Sequence, residues 1–92
     1  MDNKLAPWYP PPYELANISA IKGVAAGTAS PEQQQRAIKW IIENACATYD
    51  LSYRPTSDRD TTFAEGRRFV GLEIVKALHL DISKLKKGED DV

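Results

Sequence analysis

Four arginines fall within fifteen residues: Arg54 and Arg59 ahead of the longest periodic apolar segment, Arg67 and Arg68 inside it. A guanidinium carries a fixed charge and a planar fork of donors, which suits a phosphate backbone or the carboxylates of an acidic protein surface. Helical spacing sets Arg67 within an apolar arc, between Phe63, Ala64 and Ile74. A charge there must snorkel, pair with a carboxylate, or meet an anionic group of a partner. Asp58, Asp60 and Glu65 are interleaved with the arginines. Internal salt bridges are therefore the favoured reading, and a binding patch is the alternative.

No other constellation is equipped for chemistry. His79 is the sole histidine and sits at a helix end, where an imidazolium complements the dipole. Cys46, the sole cysteine, borders an apolar stripe like a small buried residue. One Cys and one His cannot make a Cys/His zinc site, and the chain has no Gly-rich phosphate loop, no H-E-x-x-H and no calcium loop. The expectation is a protein with no catalytic residue, no cofactor, no metal and no small-molecule substrate.

The elements that position these residues fit one small domain of 92 residues, 42% hydrophobic. Twelve Lys+Arg against thirteen Asp+Glu leave no global basic field, so DNA is a possible partner but not the favoured one. No apolar run approaches the ~20 residues that span a bilayer, and Met1 to Pro12 lack the pattern of a secretory signal. Residues 1–12 hold four of the six prolines with Trp8 and Tyr9, and read as an extended arm. Residues 13–82 read as an all-α, three-helix domain, and residues 83–92 as a charged tail. The first helix opens after Pro12 and closes at Gly27. The second begins at Ser30-Pro31-Glu32-Gln33, a capping box with proline at the first position. It carries Ile38, Ile41, Ile42, Ala45 and Tyr49 on one face. After a loop over 50–60, the third begins near Asp60 to Thr62, with Thr62 to Glu65 as a capping box, and runs to about Leu80. Its apolar arc comprises Phe63, Ala64, Val70, Gly71, Ile74, Val75, Ala77 and Leu78. Gly66 and Gly71 each cost a helix about 1 kcal/mol relative to alanine, which points to close approach of another helix, in this chain or another copy.

Trp40, Phe69 and Leu72 lie off the main stripes. Either they form a second face that docks a partner, or the arm folds back and covers them with Trp8 and Tyr9. The candidate partner-binding set is therefore Trp8, Tyr9, Trp40, Arg54, Arg59, Arg67, Arg68, Phe69 and Leu72.

The string Phe63-Ala64-Glu65-Gly66-Arg67-Arg68-Phe69-Val70-Gly71 matches an F-x-x-G-R-R-x-V-G-like helix. With Ser30 to Gln34, Ala37 to Ile42 and Cys46 to Asp50, it resembles a family of small proteins of short-tailed bacteriophages and prophages. The likeness covers roughly residues 12–82. It implies a phage origin but no reaction, cofactor or particular partner. The leading expectation is a virion-associated or head/tail assembly component, in the virion or the cytoplasm of the infected host, that contacts other phage structural proteins or itself. A small-terminase-like packaging accessory, binding DNA through the arginines, is the second expectation, and a host-directed inhibitor the third.

Overall fold

A computed structural model describes residues 6–85. Residues 86–92, most of the expected tail, and residues 1–5 of the arm lie outside the described residues. Three α-helices follow in order, α1 Leu15–Ala26, α2 Pro31–Trp40 and α3 Asp58–His79, with no strand among the described residues. This is the all-α, three-helix architecture expected from the periodicity.

Local chemistry sets the α1–α2 hairpin. Gly27 takes φ +74°, and the Thr28 and Ala29 amides return to the Gly23 carbonyl at 2.9 and 3.1 Å. That closes α1 where glycine was expected to end it. Ser30 Oγ accepts from the Gln33 amide at 3.2 Å while Gln33 Oε1 accepts from the Ser30 amide at 3.0 Å, the reciprocal box read from the sequence. The start of α1 differs. Glu14 is its N-cap, with its amide donating to Asn17 Oδ1 at 2.8 Å, so Pro12 is not the first helical residue. The Pro12 carbonyl instead accepts from Trp40 Nε1 at 3.0 Å, which ties the arm to α2.

The second helix does not continue regularly to Tyr49. After Trp40 the chain enters a π-helical turn, Ile41–Ala45, closed by the Cys46 amide on the Ile41 carbonyl at 2.9 Å. A π turn holds an extra residue and rotates everything beyond it out of the 3.6-residue register. Ile42, Cys46 and Thr48 are buried in consequence, while Tyr49, expected on the inner stripe, is 68% exposed and Ile38 is also exposed. Ala47 follows in the left-handed region at φ +48°, a conformation that costs an L-residue about 1 kcal/mol.

The third helix starts before the expected Asp60–Thr62. Ser57 Oγ accepts from the Asp60 amide at 3.1 Å, and Asp58 and Asp60 fall in the first turn. The Thr62 hydroxyl donates to the Asp58 carbonyl inside the helix and caps nothing. The inner face is narrower than the expected arc. Ala64 and Gly71 are buried, Arg67, Arg68, Ile74 and Val75 half-buried, and Phe63, Val70 and Leu78 exposed. The helix approaches its neighbours through its small residues, which leaves the large ones on the flanks. A Cβ on Gly71 would stand 1.7 Å from Thr48 Oγ1 and 2.9 Å from the Cys46 Cβ, so the close approach expected there is internal. A Cβ on Gly66 would meet nothing within 4 Å, and the same expectation fails for it inside this chain.

The arm is not extended throughout. The Tyr9 amide donates to the Ala6 carbonyl at 3.0 Å in a turn that buries Pro7, and residues 10–13 follow without regular secondary structure.

A short helical turn over 82–85 follows α3. Asp81 Oδ1 accepts from the Ser83 hydroxyl at 2.6 Å and its amide at 2.9 Å. These bonds hold the Asp81 carboxyl below its ordinary 3.8, the hydroxyl contributing most. A carboxyl depressed in the folded state stabilises its turn above the unfolded value, and that contribution is lost as pH falls through the folded one. In an NMR titration Asp81 should ionise with a midpoint below 3.8, and Ser83→Ala should move it back up. An unshifted midpoint would mean the cap does not form in solution.

Candidate functional site

The π turn ends in carbonyls that no helical amide satisfies, a locally negative end that attracts cations. Arg67 fills that role. Its Nε donates to the Ala45 carbonyl at 2.6 Å, Nη2 to Asn44 at 2.8 Å and Nη1 to Pro7 at 2.8 Å. One side chain of α3 thus clasps the π turn and the N-terminal arm. Arg68 Nε donates to the Thr48 carbonyl at 2.9 Å, with Nη1 3.8 Å from Glu65 Oε1. Thr48 is fully buried, and its hydroxyl donates to the Ile42 carbonyl at 2.6 Å. Arg54 Nη1 donates to the Leu51 carbonyl at 2.7 Å, and the Arg54 amide donates to Thr61 Oγ1 at 2.7 Å, pinning the loop to α3.

These bonds revise the reading of the arginines. Arg67 and Arg68 were candidates for a partner's anion, yet both are half-buried and hold carbonyls of their own chain. Internal salt bridges are not what engages them either, apart from the long Arg68–Glu65 pair. Arg59 is exposed. Cys46 is buried, and His79 Nδ1 lies 2.8 Å from the Val75 carbonyl in the last turn of α3. Among the described residues no group of three His, Cys, Asp or Glu could hold a metal ion, and no helix is long and apolar enough to cross a membrane.

What the structure brings together instead is apolar surface. The arm does fold back, but its aromatic residues do not cover Trp40, Phe69 and Leu72. Trp40 is half-buried through its bond to Pro12, and Phe69 stays 59% exposed, with Leu72 exposed beside it. Trp8 and Tyr9 stand over the N-terminal half of α3. With Phe63, Gly66 and Val70 they line a groove of about 650 Å³. A second apolar groove of about 440 Å³ lies between α2 and the end of α3, lined by Ile38, Ile42, Tyr49 and Leu78. Phe63 and Val70 were assigned to the core by the sequence reading. They are 51% and 52% exposed, and they form a face that the candidate set lacked. Their seven-residue spacing with Gly66 between them was the available signal.

Compared with known proteins, the chain matches no family model, no curated protein and no solved structure.

Proposed function

We propose that this chain is a small structural protein of a bacteriophage particle or of its assembly, acting through protein–protein contacts and carrying out no reaction. The phage assignment rests on the resemblance of the Phe63–Gly71 helix and the segments around it. The contact role is supported by one observation, the imbalance between buried and exposed apolar side chains. Ile42 is the only large aliphatic or aromatic residue that is buried among the described residues, whereas seventeen large apolar or aromatic side chains are exposed. Apolar surface left open in this way is stabilised when other protein covers it.

The DNA reading loses support, because three of the four arginines it needs, Arg54, Arg67 and Arg68, are engaged by backbone carbonyls. Quantitative mass spectrometry of purified particles of the encoding phage tests the proposal. The expected result is the chain present at a fixed copy number relative to a portal, tail or shell protein. Expression in infected cells with absence from both particles and assembly intermediates would overturn it.

A further inference from the structure

We infer that two copies of this chain pair through α3, antiparallel and centred on Val70, with the arm of each copy walling the groove that receives the other's helix. The inference rests on the contact role proposed above and names the first partner as the chain itself.

The stripe that carries the pairing is Arg59, Phe63, Gly66, Val70, Ile74, Ala77, with Asp81 one residue past the end of the helix capping position. The steps between these residues are four, three, four, four, three and four, which read the same in both directions from Val70. At about 100° per residue Arg59 to Ala77 lie on one side of the helix, next to the face that meets the π turn, and Asp81 follows just past Leu80, where the backbone turns extended. A twofold axis through Val70 sets each residue near the one equally far on the other side. Phe63 then meets Ala77 of the second copy, large against small. Val70 meets Val70. Arg59 comes to the end of the second helix, beside Asp81, opposite charges at both ends. A parallel pairing would bring Arg59 to Arg59 and Asp81 to Asp81. The charges therefore select the antiparallel arrangement.

Gly66 gains a reason in this pairing. Inside its own chain a Cβ at this position would meet nothing within 4 Å, so no internal neighbour accounts for a glycine in mid-helix. Between Phe63 and Val70 it forms the floor of the groove, walled by Trp8 and Tyr9, that takes the turn of the second helix around Ile74 and Ala77. The second copy also covers side chains that the single chain leaves open, Phe63 at 51% and Val70 at 52% exposure.

Light scattering and sedimentation at tens of micromolar test the pairing on the full chain. The expected mass is twice 10.3 kDa. Val70→Arg places two like charges on the axis and should give a monomer with unchanged helical circular dichroism, since Val70 is half-exposed in the single chain. Val70→Cys, where the residue meets its own copy, should form a disulfide-linked dimer under mild oxidation. Leu72→Cys, away from the stripe, should not. Arg59→Asp should weaken the dimer several-fold, and adding Asp81→Arg should restore it, a rescue that only the antiparallel register allows. A monomeric wild-type chain overturns the inference. So does a dimer that survives Val70→Arg without cross-linking at Val70→Cys, because its interface then lies elsewhere. A monomer still found in particles at fixed copy number would defeat this pairing and leave the assembly role standing. A dimer absent from both particles and assembly intermediates would do the reverse.

Discussion

Replacing Gly71 with leucine is expected to destabilise the fold by at least about 2 kcal/mol, lowering the melting temperature by roughly 10 °C in a domain of this size. The cause is specific. The first carbon of any side chain would fall 1.7 Å from Thr48 Oγ1 and 2.9 Å from the Cys46 Cβ. Thr48 cannot move aside cheaply, because it is fully buried with its hydroxyl on the Ile42 carbonyl and its own carbonyl on Arg68. Even Gly71→Ala should destabilise, although alanine is the better helix former by about 1 kcal/mol. Gly66→Ala should have the opposite sign, since open space surrounds that position and only the propensity gain remains. Both belong in the Val70→Arg background, where pairing between copies does not contribute. Equal melting temperatures for the two glycine variants would remove the close contact between α3 and the segment after the π turn.

Arg67→Ala is expected to cost about 2–4 kcal/mol, because it removes three bonds from a charged group and leaves the carbonyls of Asn44, Ala45 and Pro7 without that donor. Arg67→Lys should recover little of the loss. An ammonium keeps the charge but cannot direct three donors along the fork that these carbonyls require. Thermal denaturation measures the stability, and limited proteolysis reports separately on the arm, which should become sensitive near Pro7 in both variants. A stable Arg67→Ala protein with a protected arm would place the guanidinium on an idle surface. The prediction bears on function as well, since the same clasp holds Trp8 and Tyr9 beside Phe63 and Val70.

Particular residues show where the sequence was sufficient. Gly27 ended α1, and Ser30 to Gln33 started α2 with both bonds of its box, because caps are made by side chains on amides three residues away. The burial of Cys46 and the tight contact at Gly71 followed from residue size and the helical penalty of glycine. The all-α class followed from apolar periodicity and the lack of strand-like alternation.

Tertiary structure decided the rest. The π turn at Ile41–Ala45 has no residue signature, and periodicity assumes 3.6 residues per turn throughout, so Tyr49 was assigned the inward position that Thr48 occupies. Arg67 was legible as an anomaly in an apolar arc, but its partners are backbone carbonyls, present at every residue and therefore invisible in the sequence. Phe63 and Val70 were assigned to the core because they lie on the apolar side of α3, yet Ala64 and Gly71 took that place and turned them outward. Composition and spacing determined which residues are apolar and which segments are helical. Which apolar residues remain for a partner was decided by how closely α3 could approach the π turn, a distance set by the missing side chain of Gly71.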